Sequence, residues 1–248
     1  PMNTKKYNWG FESIREPHVN NRRMNCPRGK VVGGSSSING MVYVRGNPLD
    51  YDEWESSGAT GWNYQNCLPY FKKLENHQCL SSEYTGNDGP VAVSGGNNMR
   101  NPLYRAFINA GVEAGYTETE DYNGFRQEGF GQKFMNVDKG IRASTGHAYL
   151  KKAKKRPNLI VVKHALVTKV LFDGKTATGV KCDIRGDIKK FTANKEVILC
   201  AGSIGTPQLL QVSGVGPRDV LEAASIEVIH ESPGVGQNLQ DHLEFNFQ

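Results

Sequence analysis

Apolar residues recur at helical spacing through the first part of the chain. Pro102 to Gly115 sets Leu103, Phe107, Ile108 and Val112 on one face and ends at a glycine, the pattern of an amphipathic helix with a glycine stop. Tyr64 to Glu75 carries Leu68, Phe71 and Leu74 at the same spacing, interrupted by Pro69. Pro48, followed by the acidic turn of LDYDEWES, opens a shorter helix, and Ser144 or Thr145 caps another. Trp54, Trp62 and Tyr70 are expected in the core. Asn76 to Asn101 is rich in turn residues and holds one short strand candidate, Val91 to Val93.

From Asn158 the texture changes. Leu159 to Val162, Leu166 to Phe172, Thr178 to Asp183 and Phe191 to Leu199 are rich in Val, Ile, Thr and Phe and are divided by turns such as Asp173-Gly174, which predicts strands. Helices follow at Thr206 to Gln211 and from Pro217 to near Ala224, with a strand at Glu227 to His230. This alternation predicts an α/β sheet region rather than a helical bundle.

The densest chemistry lies in PRGKVVGGSSSINGMVYVRGNPLDYD, Pro27 to Asp52. Gly33 and Gly34 permit positive φ and close approach, while Ser35, Ser36 and Ser37 supply hydroxyls and amides, with Arg28 and Lys30 nearby. A turn of this kind is a concavity for an anion such as a diphosphate. Neither GxGxxG nor GxxxxGK[ST] is present, and a flexible surface loop is the competing reading of a Gly/Ser run.

The segment Gly29 to Asp52 resembles the first signature of the glucose-methanol-choline family of flavin oxidoreductases. AGSIGTPQLLQVSGVGP, Ala201 to Pro217, is similar to its second signature, and PGVGQNLQDH, Pro233 to His242, to a further flavin-side motif. The likeness covers essentially the whole chain. It implies a discontinuous Rossmann-like FAD-binding domain, of mixed α/β and α+β elements, interleaved with an antiparallel-sheet substrate domain. Residues 1–85 and 156–240 would serve FAD, and 86–155 and 241–248 the substrate. The family's enzymes are about twice as long, so the chain is expected to be an internal piece, without the first βαβ unit and without the C-terminal base.

The resemblance further implies that Gly33, Gly34, Ser35 and Ser36 approach the diphosphate and that Asn39, Gly40, Met41 and Val42 reach the flavin ring. Val167 would pair with the adenine edge through its backbone, and Ala201 and Gly202 would pass close to the dinucleotide. Ile38 stands where some relatives carry a flavin-linked histidine, so FAD is expected to be non-covalent. Glu244 falls where choline-oxidising relatives place a carboxylate against the trimethylammonium group, and Trp9 matches an aromatic position of that cage. The implied reaction is oxidation of a primary alcohol, choline to betaine aldehyde before others, by hydride transfer to flavin N5. The acceptor would be a quinone or respiratory carrier, in the cytoplasm or at the inner face of a respiratory membrane. Another alcohol, or a non-catalytic flavin-binding fragment, is the alternative.

Composition adds limits. With 38% hydrophobic and 22% charged residues, the chain reads as globular, without an apolar run long enough for a bilayer. No signal peptide is visible. Five cysteines without CxxC spacing read as reduced thiols rather than metal ligands. The net charge of +5 concentrates in Lys151, Lys152, Lys154, Lys155 and Arg156 at an expected helix end. Cations there complement the helix dipole, so no nucleic-acid partner is implied. Asp241 and His242 are adjacent and diverge, which makes His242 structural; His18, His77, His147, His164 and His230 show no metal-site spacing.

Overall fold

The computed structural model describes residues 4–97 and 99–241, and the chain divides into two compact units, Pro1–Leu159 and Ile160–Gln248.

In the first unit, short strands β1 (Phe11–Glu12) and β2 (Asn25–Cys26) pair antiparallel. Helix α1 (Pro48–Ser56) starts from a capping box: Asn47 accepts the Leu49 N–H, and Asp50 accepts the Asn47 N–H. Helix α2 (Tyr64–Leu74) is capped by Asn63, holds Pro69 inside it, and runs directly into β3 (Glu75–His77). Strand β3 pairs parallel with β4 (Val91–Val93). Helix α3 (Pro102–Glu113) is followed by a hairpin of β5 (Val137–Asp138) and β6 (Ile141–Arg142). A π-helical turn, Gly146–Leu150, then leads into the short α4 (Lys151–Ala153).

Residues 134–136 are the seam of this unit. Tyr43 N–H donates to the Phe134 carbonyl (2.9 Å) and Asn136 N–H to the Met41 carbonyl (2.8 Å), while Met135 and Ser94 exchange both backbone hydrogen bonds. Tyr43, Val93 and Phe134 form the core beside this seam, with Leu74, Leu80 and Tyr122 packed against it. The Tyr122 hydroxyl donates to the Tyr43 carbonyl and accepts the Phe134 N–H, both at 2.8 Å, and burial pushes its pKa up to about 12.

Next to this core lies a buried ion pair. Arg45 and Glu75 bond through Nη2 and Oε2, with side chains only 3% and 1% exposed. Arg45 also donates to the Tyr84 carbonyl (2.8 Å), and Glu75 Oε2 accepts the Gly86 N–H (3.2 Å). Burial still pushes the Glu75 carboxyl up, against the pull of Arg45, and its Oε1 has no partner.

Several expectations change here. Trp54, Trp62 and Tyr70 are 51%, 57% and 69% exposed rather than core, and Trp54 and Trp62 form a surface aromatic cluster with Tyr51. Helix α2 turns Phe71 and Leu74 inward instead, Phe71 lying under the Arg45 guanidinium. On α3 the buried positions are Ile108 and Gly111, while Leu103, Phe107 and Val112 stay exposed.

The second unit is built on an antiparallel meander, β7 (Ala165–Asp173), β8 (Thr176–Ile184) and β9 (Asp187–Thr192). Helix α5 (Gly202–Val212) packs on β7. The buried Ser213 hydroxyl donates to the Leu209 carbonyl (2.6 Å) and accepts the Val170 N–H (2.8 Å), so one side chain joins the helix end to the sheet. Strands β10 (Val215–Gly216) and β11 (His230–Glu231) pair parallel around α6 (Arg218–Ala223). The expected strand Leu159 to Val162 forms no ladder, and of the expected Phe191 to Leu199 only Phe191 and Thr192 pair, as the end of β9; Ile160 and Ile198 are 85% and 72% exposed. Apolar, β-prone sequence needs a pairing edge before it becomes a strand. All five cysteines are free, and no helix among the described residues is long and apolar enough to cross a membrane.

His77 is 4% exposed and packs edge-on against Phe134. Its Nδ1 accepts the Cys79 and Leu80 N–H groups, which places the ring proton on the unpartnered Nε2. Burial holds this imidazole below its ordinary value of 6.5, with Asp121 opposing and Arg45 reinforcing that shift. A depressed folded value means that this contribution to stability is full above pH 6.5 and is lost as pH falls through the lower folded value. His77→Asn keeps an acceptor for the two amides but does not titrate. Urea midpoints followed across roughly pH 5 to 8 are therefore expected to fall on the acid side in the native sequence and to flatten in the variant.

Candidate cofactor-binding site

The Gly/Ser run forms a tight turn whose shape comes from contacts among its own residues. Gly33 and Gly34 take φ of 91° and 54°, and residues Gly34–Ser37 make one turn of 3-10 helix. A Cβ on Gly29 would run into the Gly34 carbonyl, and one on Gly33 into the Ser37 hydroxyl. Gly34 and Gly40 face open space instead. The run is thus closed on one side and open on the other.

The serine hydroxyls have a different role from the one their composition suggests. Ser36 Oγ donates to the Gly33 carbonyl (2.5 Å) and accepts the Thr145 N–H (2.9 Å), and Ser37 Oγ donates to the Val32 carbonyl (2.8 Å). Ser35 Oγ accepts the Gly29 N–H (3.1 Å), leaving its own proton uncommitted. Ser36 and Ser37 therefore hold the turn, and any anion would meet its backbone and Ser35.

Downstream, the chain bends again at Met41, whose φ is 66°. The Asn39 side-chain oxygen accepts the Met41 N–H (3.1 Å), an Asx-type turn that supports this costly conformation. Arg142 Nη1 reaches the same oxygen (2.6 Å), the Asn39 carbonyl (2.8 Å) and the Ser36 carbonyl (3.3 Å). Thr145 Oγ1 contacts the Gly33 carbonyl (3.2 Å) and Ser36 Oγ (3.1 Å). The helix cap falls to Ser144, whose Oγ accepts the His147 N–H (3.3 Å). Segment 142–145 is thus laid across the turn from over a hundred residues away in sequence. Beside it the buried Asn136 Nδ2 has no partner.

Trp9 is brought to the mouth of the turn because residues 7–9 bond to residues 28–30: Trp9 N–H donates to the Arg28 carbonyl (3.0 Å) and Lys30 N–H to the Tyr7 carbonyl (2.9 Å). Its indole is 45% exposed, and the Lys30 ammonium already sits 4.8 Å from the ring centroid. In the second unit, Val167 is half-buried on the edge strand β7, opposite Cys182 and next to an irregularity in register. Gly202 opens α5 with φ of 88° and space around it, after Ala201, whose N–H bonds Thr206 Oγ1 (3.0 Å). Glu244 and His242 lie outside the described residues. No group of three metal-ligating side chains occurs among the described residues.

The GMC oxidoreductase family profile matches residues 13–244. The chain belongs to the GMC oxidoreductase family. It is 57% identical over 249 residues to the oxygen-dependent choline dehydrogenase of Vibrio vulnificus (strain YJ016), covering 100% of this chain and 44% of that protein. Identity to the oxygen-dependent choline dehydrogenase of Ectopseudomonas mendocina (strain ymp) is 51% over 252 residues, with 100% and 45% coverage. The FAD-dependent oxidoreductase from Chaetomium thermophilum superposes with a TM-score of 0.89 at 35% identity, over 95% of this chain and 43% of that one. The chain spans less than half the length of these GMC relatives.

Sequence reading alone missed Arg142 and the second role of Thr145. The signal was present as the run RAST beside the Asn136 segment, but only the fold shows that it meets residues 33–41.

The turn's packing predicts an asymmetry between two glycines. Gly29→Ala forces backbone against backbone and is expected to cost about 1–3 kcal/mol. Gly40→Ala enters open space, with an expected effect within about 0.5 kcal/mol. Chemical denaturation of the two variants reads the difference; equal costs would show that the closed side of the turn is not packed as described.

Proposed function

We propose that the chain provides the cofactor cradle of an FAD-dependent alcohol dehydrogenase acting on choline. The observation that carries this reading is the turn at Gly29 to Met41, closed by glycine packing on one side and open with positive φ on the other. Such a turn fits an extended diphosphate and a planar ring. Gly33, Gly34 and Ser35 would hold the diphosphate, and Asn39, Gly40, Met41 and Val42 the ring. Val167, Ala201 and Gly202 would contribute backbone contacts to the adenine side. Ile38 is 7% exposed and carries no nucleophile, which supports non-covalent FAD. The names of the bacterial relatives, oxygen-dependent choline dehydrogenases, support choline as substrate and oxygen as acceptor, with a quinone or respiratory carrier as the alternative acceptor.

When bound, FAD would supply the hydride acceptor that oxidation of choline to betaine aldehyde requires. The chain's own part is to bind and orient. Glu244 supplies negative charge to the trimethylammonium group, which cannot donate a conventional hydrogen bond, and Trp9 an aromatic face. A substrate cation would share that indole with Lys30.

Alone, a polypeptide of these 248 residues is expected to hold FAD weakly and not to turn over choline, because it spans less than half the length of its relatives and contains no GxGxxG turn to meet a dinucleotide diphosphate. Visible spectra after adding FAD and desalting test this. A stoichiometric yellow complex that choline bleaches would overturn the expectation.

In the intact enzyme, Glu244→Gln is expected to raise KM for choline about thirtyfold, equivalent to about 2 kcal/mol, while KM for the uncharged isostere 3,3-dimethylbutanol stays nearly constant. Equal losses for both alcohols would remove the cation-site assignment.

A further inference from the structure

We propose that Arg142 is a positioning residue for the candidate cradle: it fixes the amide of Asn39 so that its oxygen faces inward and its NH2 group faces the ligand side. This rests on the cofactor reading for the ligand's identity, but not for the clamp itself.

Two donors converge on one atom. Arg142 Nη1 (2.6 Å) and the Met41 N–H (3.1 Å) both point at Asn39 Oδ1, and only the oxygen of an amide can accept both. The flipped amide would set NH2 against two donors. Arg142 also holds the Asn39 carbonyl (2.8 Å), so it grips the residue at backbone and side chain together. The Asn39 NH2 group has no hydrogen-bond partner among the described residues, and Asn39 is exposed. It is thus a donor oriented by its own oxygen and free to meet an acceptor. Among the described residues no carboxylate pairs with Arg142, so the clamp adds an uncompensated positive charge beside that donor.

The clamp also explains a strained backbone. Met41 is not glycine, yet its φ is 66°, a conformation costing about 1–2 kcal/mol. Its N–H is held by Asn39 Oδ1 and its carbonyl by the Asn136 N–H (2.8 Å). Asn136 leads into the hairpin that ends in Arg142, and its carbonyl accepts the Ala143 N–H (2.9 Å). One hairpin therefore supports the Met41 turn from both ends. A ligand with acceptors at this turn, such as the carbonyl and nitrogen edge of a flavin ring, would be read by an Asn39 donor that Arg142 keeps in one orientation.

The test separates clamp from cofactor. Hydrogen exchange at the Met41 amide, followed without FAD, is expected to quicken about ten- to hundredfold in Arg142→Gln, the loss of a charged hydrogen bond. Arg142→Lys, which keeps a donor with shorter reach, should fall in between. Unchanged Met41 exchange in Arg142→Gln overturns the proposal.

In the intact enzyme, the FAD dissociation constant, read by flavin fluorescence, should rise about tenfold or more in Arg142→Gln and in Asn39→Ala. The double variant should be no worse than the worse single variant, because both remove one unit. Multiplying effects would show that Arg142 does not act through Asn39. Asn39→Asp retains the inward oxygen but loses the donor, so Met41 exchange should stay slow while FAD affinity falls; retained affinity would overturn the donor role. If the native enzyme binds no FAD while Arg142→Gln still frees the Met41 amide, the cofactor reading falls and the clamp stands.

Discussion

The first unit depends on a buried ion pair. Taking Arg45 and Glu75 out of water costs several kcal/mol per ion, and their mutual bond is reinforced by further hydrogen bonds around it, although Glu75 Oε1 stays without a partner. The Tyr84 carbonyl and Gly86 N–H supply such bonds from one loop, and the Asn123 side chain accepts the Arg45 N–H at 2.7 Å from another. The pair thus fixes where the chain after Tyr43 meets the start of β3. Because Tyr43 and Met41 both bond to the 134–136 seam, the candidate cradle inherits its far boundary from this buried charge. An apolar pair could fill the volume, but it would not choose among neighbouring registers.

Two arginines of the first unit then do different work. Arg45 is desolvated and committed to a carboxylate, so its charge is cancelled inside the protein. Arg142 is half-buried and bonded to neutral oxygens, so its charge remains as field. A cradle for an anionic ligand needs the second kind of arginine and is merely supported by the first.

Local backbone features were legible from sequence. Gly33 and Gly34 do take positive φ, and the helices at Pro48, Tyr64 and Pro102 begin where the prolines and the apolar spacing place them. What escaped was contact at long range. Ser36 and Ser37 read as ligand hydroxyls because their partners, Thr145 and the carbonyls of the turn itself, are invisible to composition. Trp54 and Tyr70 read as core because aromatic residues usually are, whereas α1 and α2 turn them to solvent. The residues 159–162 and 194–199 have strand propensity but no paired edge, and propensity without a ladder does not make a strand.

The hairpin that carries Arg142 turns through only Lys139 and Gly140, both at positive φ (47° and 80°), the two-residue connection whose twist matches its strands. Exposed hairpin tips are ordinarily where a lineage accumulates insertions without penalty. Here strand periodicity of two makes length a functional quantity: one added residue within the ladder would carry the guanidinium to the opposite face. The tip of this loop is therefore limited to residues that accept positive φ and is also constrained in length, a drift limit set by the reach of a single side chain rather than by anything the loop itself touches.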